Sequence, residues 1–384
     1  MPPRKKQKQK PTEPEPQDDD DAPVVKFTGQ RAAQSTTGIF GLPLELLWLI
    51  SSHFGLRIEI PQPILRGDGN PVLPREFRER TSALRALSNT CAYLREIFRP
   101  MLWQSWNVCV EPWNSAAFYK ALGDKLLKAS NALVRESNKE TISFIRVVNV
   151  VLTRYSSNEV LPAFARCLTQ IPNLHTLQIV HAHTQMTTHL KNGFDGVSIP
   201  TLQRIVLPEW AHEVLRCCPN VRHVICTAGA GGKLVTAIAK ACPKVEIVEG
   251  FWISEPNLLK RLIKGAPNIT EVRVQPHHAD ADNIKALAGF KKLTSIQFFH
   301  EVSLEQIHAG TTDADLEIPS EIKDKIPAAR EVLRSRDGAK LSVRYTHEIP
   351  RKYRPWGGGP DAMRHENWQA ISETPFPIKT IPLA

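Results

Sequence analysis

The pattern of apolar positions repeats through the middle of the chain, from residue 172 to residue 299. Each copy has a proline or its equivalent and then apolar-x-x-apolar-x-apolar, which is typical of a short buried strand. The first apolar residues of the six copies are Leu174, Leu202, Val221, Val245, Ile269 and Leu293. They are 19 to 28 residues apart, and the last three intervals are 24 residues each. A recurring interval of this length predicts a repeat architecture.

A short segment of helical periodicity precedes most of these strands, as Leu234 to Ala239 and Leu258 to Ile263 do. A proline such as Pro243 or Pro267 then ends the helix, because proline favours extended backbone before it. One repeat is therefore helix, proline and strand, and a single unit cannot bury its apolar face alone. We predict an α/β fold in which these units stack into a βα solenoid with a parallel sheet. An ordinary α/β domain with coincidental spacing is the alternative.

The solenoid is predicted to extend beyond the regular repeats on both sides. Further strands are predicted at residues 106–110, 142–152 and 341–345, with helices at 115–133 and 322–336. The predicted domains are a disordered tail at 1–37, a helical domain at 38–104 with an inserted loop at 55–80, the solenoid at 105–346 and a C-terminal tail at 347–384.

The helical domain begins with an amphipathic helix at residues 42–54, with Pro43 in its first turn. Leu46, Leu47, Ile50 and Phe54 form a helical stripe, which indicates packing against another surface. A second helical block covers residues 82–98 and is predicted to stop before Pro100. One interpretation is a plain helical cap, since a solenoid needs its first strand shielded.

These two segments also match three pieces of a known motif in order. They are Leu42-Pro43-x-Glu45-Leu46-Leu47, then Leu84-x-x-Leu87-x-x-x-Cys91, then Pro100-x-Leu102-Trp103. The segment resembles the F-box, and with the downstream repeats the chain resembles the fungal F-box proteins with degenerate leucine-rich repeats. Two departures are the proline- and glycine-rich loop at 55–80 and the missing asparagine after each strand.

The resemblance implies a non-catalytic substrate receptor of a cullin-type (SCF) ubiquitin ligase. In that family the F-box docks a Skp-type adaptor bound to the cullin scaffold, while the repeats hold a target protein for degradation. The implied adaptor-binding residues are Leu42, Pro43, Glu45, Leu46, Ile50, Leu84, Leu87, Leu94, Pro100, Leu102 and Trp103. The inserted loop leaves open whether the adaptor reaches this surface.

The target would bind to side chains that alternate with the core leucines along each strand. The predicted target-binding residues are Gln178, Arg204, His223, Phe251, Glu271, Arg273, Gln297 and Phe299. Arginine and aromatic side chains among them favour a protein partner, because such residues dominate interface hot spots. A leucine-rich-repeat scaffold without a ligase is the main alternative function.

The net charge of +10 arises in the folded body, because acids balance the bases of residues 1–30. A basic nucleic-acid-binding protein is a further alternative, but dispersed lysines and arginines are more typical of a solubilising surface. The basic run from Arg4 to Lys10 fits a nuclear import signal, so the expected location is the nucleus, the cytoplasm or both.

The sequence predicts no catalytic residues, no metal site and no cofactor. The seven cysteines contain no Cys-x-x-Cys pair and are predicted to be reduced core residues. The glycine-rich stretch from Thr227 to Leu234 departs from both phosphate-binding templates, so we interpret it as a turn between repeats. No apolar run approaches the length of a membrane span, and no membrane partner is expected.

Overall fold

The computed structural model describes residues 41–52, 76–109, 118–302, 316–347 and 378–383. By compactness the chain divides into two units, Met1–Pro43 and Leu44–Ala384. The described part of the first unit is residues 41–43, and the elements below belong to the second. The predicted disordered tail at 1–37, most of the inserted loop at 55–80 and most of the tail at 347–384 lie outside the described residues.

The second unit contains one sheet whose ten described strands lie in the order of the sequence. Neighbours from β1 to β9 pair in parallel, and β10 pairs antiparallel with β9. The strands are β1 Ser105–Val108, β2 Val147–Leu152, β3 Thr176–Ala182, β4 Arg204–Leu207, β5 His223–Cys226, β6 Ile247–Glu249, β7 Glu271–Val274, β8 Ser295–Val302, β9 Lys340–His347 and β10 Ile378–Ile381.

Helices precede the sheet and connect its strands. In chain order they are α1 Leu44–Ser52, α2 Glu76–Thr90, α3 Ala92–Trp103, α4 Phe118–Leu133, α5 Lys139–Phe144, α6 Ser157–Thr169, α7 Thr187–Gly193, α8 His212–Leu215, α9 Gly232–Ala241, α10 Pro256–Gly265, α11 Ala281–Ala286, α12 Ser320–Lys323 and α13 Ile326–Leu333. The predicted α/β class with a mainly parallel sheet is therefore confirmed.

Two predicted elements differ from the structure. The strand predicted at 142–152 begins only at Val147, because residues 139–144 form α5, which Ile145 closes by donating its N–H to Ile142 O at 3.1 Å. The helical block predicted at 82–98 is two helices, separated at Cys91, whose backbone is extended. The second of them continues through Pro100 to Trp103. Short apolar runs do not distinguish helix from strand by periodicity alone, which explains the first error.

Asparagines before the strands link each repeat to the preceding one. Three of them donate a side-chain N–H to a backbone carbonyl of the preceding repeat, as Asn173 to Ser143 at 2.7 Å, Asn220 to Pro200 at 2.8 Å and Asn268 to Pro243 at 2.9 Å. A lysine of the following repeat then donates to the same asparagine, as Lys244 to Asn220 at 2.8 Å and Lys292 to Asn268 at 2.7 Å. These bonds satisfy backbone groups at the turns, where no sheet partner exists.

The main core lies between the sheet and the connecting helices. Each strand contributes apolar side chains to it, such as Val148, Leu177, Ile205 and Val224, all fully buried. On the helix side, Phe164 of α6 lies at the centre of an aromatic cluster. Its ring centroid is 6.2 Å from that of Trp106 and 6.3 Å from that of Phe194. This core joins the first strands to the later repeats.

A second, smaller apolar cluster lies on the opposite face of the sheet. Val151, Val180, Val206 and Ile225 pack there against Phe118, Leu122 and Tyr119 from the beginning of α4. Further along the same helix, Leu126 and Leu133 join the main core. Helix α4 therefore contributes to both cores and shields part of the sheet face that the sequence predicts to be free.

No helix among the described residues combines the length and the apolar character needed to cross a membrane.

Candidate functional site

Helix α1 presents large apolar side chains to solvent. The exposed fractions are 39% for Leu44, 44% for Leu46, 57% for Leu49 and 40% for Ile50, whereas Leu47 is fully buried. Glu45 is also exposed. Among the described side chains of this helix, Leu47 is buried and four aliphatic side chains are accessible. Contiguous exposed apolar groups of this kind commonly mark interaction surfaces.

The other predicted adaptor-binding residues occupy several environments. Leu84 and Leu94 are buried, so they are not available to a partner. Because α2 and α3 pack on each other, the inward stripe of each helix fills their interface. Leu87, Pro100, Leu102 and Trp103 are half-buried, and Trp103 packs against the main core. In the first unit, Leu42 is half-buried and Pro43 is exposed.

Helix α3 is also attached to α5 by a charged side chain. Arg99 donates to Glu140 Oε2 and to Thr141 Oγ1, both at 2.8 Å. The first bond is an exposed ion pair and contributes little by itself. The second reaches a buried hydroxyl, so the two bonds together fix the orientation of α3 against α5.

Six of the eight predicted target-binding residues, all but Phe251 and Phe299, lie on two side-chain ladders that cross the sheet. One ladder runs through Ser105, Val147, Thr176, Arg204, His223, Ile247, Glu271, Ser295 and Lys340. The next runs through Asn107, Asn149, Gln178, Val206, Ile225, Glu249, Arg273, Gln297 and Ser342. We call the sheet face that carries both ladders the strand face.

The strand face is less exposed than the sequence predicts. Gln178, Gln297 and Phe299 are buried, and Arg204, His223, Glu271 and Arg273 are partly exposed. Side chains in adjacent parallel strands are about 5 Å apart and shield one another.

Phe251 is not on the strand face at all, because it is part of the main core. Strand β6 ends at Glu249, and Gly250 has a φ of +77°, which reverses the alternation that the sequence implies. Glu249 is the residue of this repeat that the ladder places on the strand face.

Charged side chains from five strands converge on the strand face. They are Arg204, His223, Glu249, Glu271, Arg273 and Arg344, and we call them the strand-face ion cluster. Glu249 is only 2% exposed, and its Oε2 lies 3.3 Å from a terminal nitrogen of Arg273 and 3.7 Å from Nε2 of His223. Arg273 also donates Nε to Glu271 at 2.5 Å. One arginine therefore joins two carboxylates on neighbouring strands.

Burial shapes the protonation of this cluster. Desolvation lowers the pKa of Arg204 and of Arg344, and the negative charge of Glu249 opposes this for both. Each of these two arginines also feels the positive charge of Arg273. Desolvation likewise lowers the pKa of His223, and the negative charge of the nearby Glu249 carboxylate opposes this. His223 is therefore neutral at physiological pH, and the formal charges come from three guanidinium groups and two carboxylates.

Neither a protein-family model nor a curated protein sequence matches this chain. The assignment of a function therefore depends on the residues and their geometry.

In the described part of the chain the cysteines are separate thiols, and potential metal ligands do not cluster. The seven cysteines are free thiols, and all but Cys91 are buried. Burial raises the pKa of Cys109 to about 12, so this thiol is not a nucleophile near neutral pH. No group of three or more histidine, cysteine, aspartate or glutamate side chains within the described ranges could hold a metal ion.

The glycine-rich stretch lies between β5 and α9, as predicted for a turn between repeats. Its backbone already binds an anionic group from this protein. The carboxylate of Glu209, which follows β4, accepts from Gly231 N at 3.2 Å and from Lys233 N at 2.9 Å. The beginning of α9, where a phosphate would lie, is therefore filled by a side chain of the preceding repeat. Glu209 has no motif around it, so no sequence signal marks this role.

Replacing Gly231 with alanine is expected to lower the free energy of unfolding by about 2–3 kcal/mol. Gly231 has a φ of +92°, and an added Cβ would lie 2.5 Å from Cδ1 of buried Phe251. Chemical denaturation of both proteins measures the difference. Gly196→Ala is the control, because Gly196 has a φ of +68° but open space around its Cβ position. Equal losses for the two variants would contradict a steric role of Phe251.

Proposed function

We propose that this protein is a non-catalytic substrate receptor of a cullin-type ubiquitin ligase, with an F-box at its N-terminal helices and a leucine-rich-repeat-like solenoid behind them. The observation that carries the proposal is the apolar surface of α1, where Leu44, Leu46, Leu49 and Ile50 are exposed beside buried Leu47. This segment directly follows Leu42-Pro43 of the F-box pattern. An amphipathic helix that leaves apolar side chains accessible is suited to docking in a partner's groove.

The adaptor surface in this proposal is narrower than the motif alone implies. Leu46 and Ile50 of α1 are its centre, because both are exposed and both are among the adaptor-binding residues that the resemblance implies. Leu84 and Leu94 support the helices from inside instead of contacting the adaptor. Leu87, Pro100, Leu102 and Trp103 form a half-buried margin. Exposed aliphatic groups of this kind gain most when a partner removes them from water.

The contribution of the chain to ubiquitin transfer would be proximity. In this proposal a Skp-type adaptor and cullin hold α1, while the sheet-bearing part holds the target. The Arg99 bonds to Glu140 and Thr141 favour a fixed geometry between the helices and the first strands. A fixed geometry raises the effective concentration of a target lysine near the charged conjugating enzyme. The chemical step belongs to other subunits.

The test is binding of a purified Skp-type adaptor to the full chain, measured by calorimetry. The double variant Leu46→Ala, Ile50→Ala is expected to weaken binding by about 2 kcal/mol or more, which is about 30-fold, the scale of an interface hot spot. Both side chains are exposed, so the variant should fold normally. Circular dichroism and thermal unfolding verify this.

Ile378→Ala is the matched control, because Ile378 is an exposed aliphatic residue on β10, outside the F-box segment. It should bind the adaptor like the original chain. A folded original chain that shows no affinity for the adaptor would overturn the receptor proposal and favour an interaction scaffold without a ligase.

A further inference from the structure

Strand β9 is held in the sheet by contacts that do not involve β10. All of its residues, 340–347, pair in parallel with β8. Leu341 and Val343 of β9 are fully buried in the main core. The other backbone edge of β9 faces β10, which pairs with residues 341–344. A strand that is fixed on one side in this way is a preformed template for a further strand on the other side.

Strand β10 contributes little to the core. It is the antiparallel strand of the described sheet, and Ile381, at 3% exposed, is its one buried side chain. Leu383, just beyond the strand, is half-buried against the same core. The remaining side chains of β10 are exposed or half-buried. A strand with so few buried apolar contacts is expected to open locally, without unfolding of the sheet.

Side chains also bond to the backbone at both ends of β10. Lys379 donates its Nζ to the carbonyl oxygen of Leu316, which lies outside the sheet. On the other side, Arg330 of α13 donates its Nε to the carbonyl oxygen of Pro382 at 2.9 Å. The surroundings of β9 therefore offer an acceptor for a basic side chain and a donor for a peptide carbonyl. Both bonds fix the register of the strand that lies against β9.

The connection from β9 to β10 is much longer than their pairing requires. Ile378 pairs with Arg344, near the end of β9, so the connection begins and ends close together. It comprises residues 348–377, which is 30 residues, whereas a β-hairpin loop needs about 2–5. Strand β10 can therefore separate from β9 without displacing any other described strand.

We propose that the outer edge of β9 is an acceptor site for an extended peptide of another protein, and that residues 378–383 are the internal occupant that this peptide displaces. The internal occupant defines the chemistry of the peptide. A basic residue donates to the carbonyl of Leu316, and two positions later an aliphatic residue enters the core as Ile381 does. Backbone hydrogen bonds to β9 supply affinity, and these two side chains supply specificity. The site is independent of adaptor binding and goes beyond the receptor function.

Hydrogen exchange of the original full chain tests whether β10 can be displaced. The N–H groups of β10 are expected to exchange at least about tenfold faster than those of β5 at the centre of the sheet, because local opening exposes β10 alone. Equal exchange of β10 and β5 would mean that β10 separates only when the whole sheet unfolds, and would overturn the proposal.

A synthetic peptide tests the acceptor site. It has the sequence of residues 378–383 with capped ends and is titrated into the full chain by calorimetry. Ile381→Asp in the chain is expected to increase the affinity for this peptide at least about tenfold, because it weakens the internal competitor and raises the open fraction. Ile381→Ala, a milder change, should give a smaller increase. A peptide carrying Lys379→Arg should bind to the Ile381→Asp chain, and one carrying Lys379→Glu should bind more weakly, because glutamate cannot donate to Leu316.

Ile378→Asp in the chain is the matched control, because it makes the same change on the same strand at an exposed position. It should bind the peptide no better than the original chain does. Unchanged hydrogen exchange in β8 verifies that each variant keeps its sheet.

Two results would overturn the proposal of a separate peptide partner. One is a peptide that binds to neither Ile381 variant, or that binds equally to them and to the original chain. The other is an original chain that forms dimers in light scattering while Ile381→Asp stays monomeric, because the occupant would then be the terminal segment of a second copy. A monomeric original chain, together with tighter peptide binding by Ile381→Asp, supports the acceptor site.

Discussion

Replacing Phe164 with alanine is expected to lower the free energy of unfolding by about 3–5 kcal/mol. Phe164 is fully buried in α6, and its ring lies between those of Trp106 and Phe194. Those two residues come from the first strand and from the segment before β4, so one side chain joins parts of the chain almost 90 residues apart. The loss combines the free energy gained by burying the apolar surface of the ring with the free-energy cost of the cavity that remains.

Urea or guanidinium unfolding, followed by circular dichroism, measures this difference. Tyr155→Ala is the control, because Tyr155 is an aromatic residue just before α6 that is 48% exposed. A surface substitution of this kind usually changes stability by about 0.5 kcal/mol or less. A loss below about 1 kcal/mol for Phe164→Ala would contradict a tightly packed core at this position.

Replacing Glu249 with glutamine is expected to lower the free energy of unfolding by about 3 kcal/mol. The substitution keeps the shape of the side chain but leaves Arg273 beside a neutral group, in a cluster that also contains Arg204 and Arg344. Removing one partner of a buried pair is strongly unfavourable, because the other charge remains without compensation. Arg273 keeps Glu271 and some access to water, so the effect should be at the lower end of the range for buried pairs.

A double-mutant cycle with Arg273→Met measures the interaction directly. If Glu249 acts mainly by compensating Arg273, the double variant should be more stable than Glu249→Gln alone. Glu246→Gln is the matched control, since Glu246 forms an exposed pair with Arg222 and should contribute about 1 kcal/mol or less. Additive losses in the cycle would mean that the two side chains do not interact appreciably.

The repeat pattern is sufficient to predict the main elements of the sheet. Apolar residues at fixed offsets after each proline place Leu177, Ile205, Val224, Val248 and Val272 in the core, and all are buried in the structure. This succeeds because two-residue alternation and the proline stop are local properties. The same rule fails at Phe251. The backbone of Gly250 has a positive φ, so the alternation of side chains between the two sheet faces stops before Phe251.

Helical periodicity likewise identifies apolar stripes but not what covers them. Leu46, Leu84 and Leu94 all belong to such stripes, yet Leu46 is exposed whereas Leu84 and Leu94 are buried. The difference depends on which helices pack together, and α2 packs on α3. The adaptor segment therefore stays a prediction from the sequence, and two of the residues assigned to it, Leu84 and Leu94, are buried in the structure.

The sequence by itself determined the α/β class, the order of helix and strand in each repeat and the presence of an amphipathic helix before them. Tertiary structure alone decided that Glu209 fills the glycine-rich turn and that Arg204, Arg273 and Arg344 converge near Glu249. The physical reason is that secondary structure follows from interactions among neighbouring residues, whereas these contacts join residues 22 or more positions apart. Such contacts depend on strand register and on how side chains share space between repeats, neither of which is encoded in any single repeat.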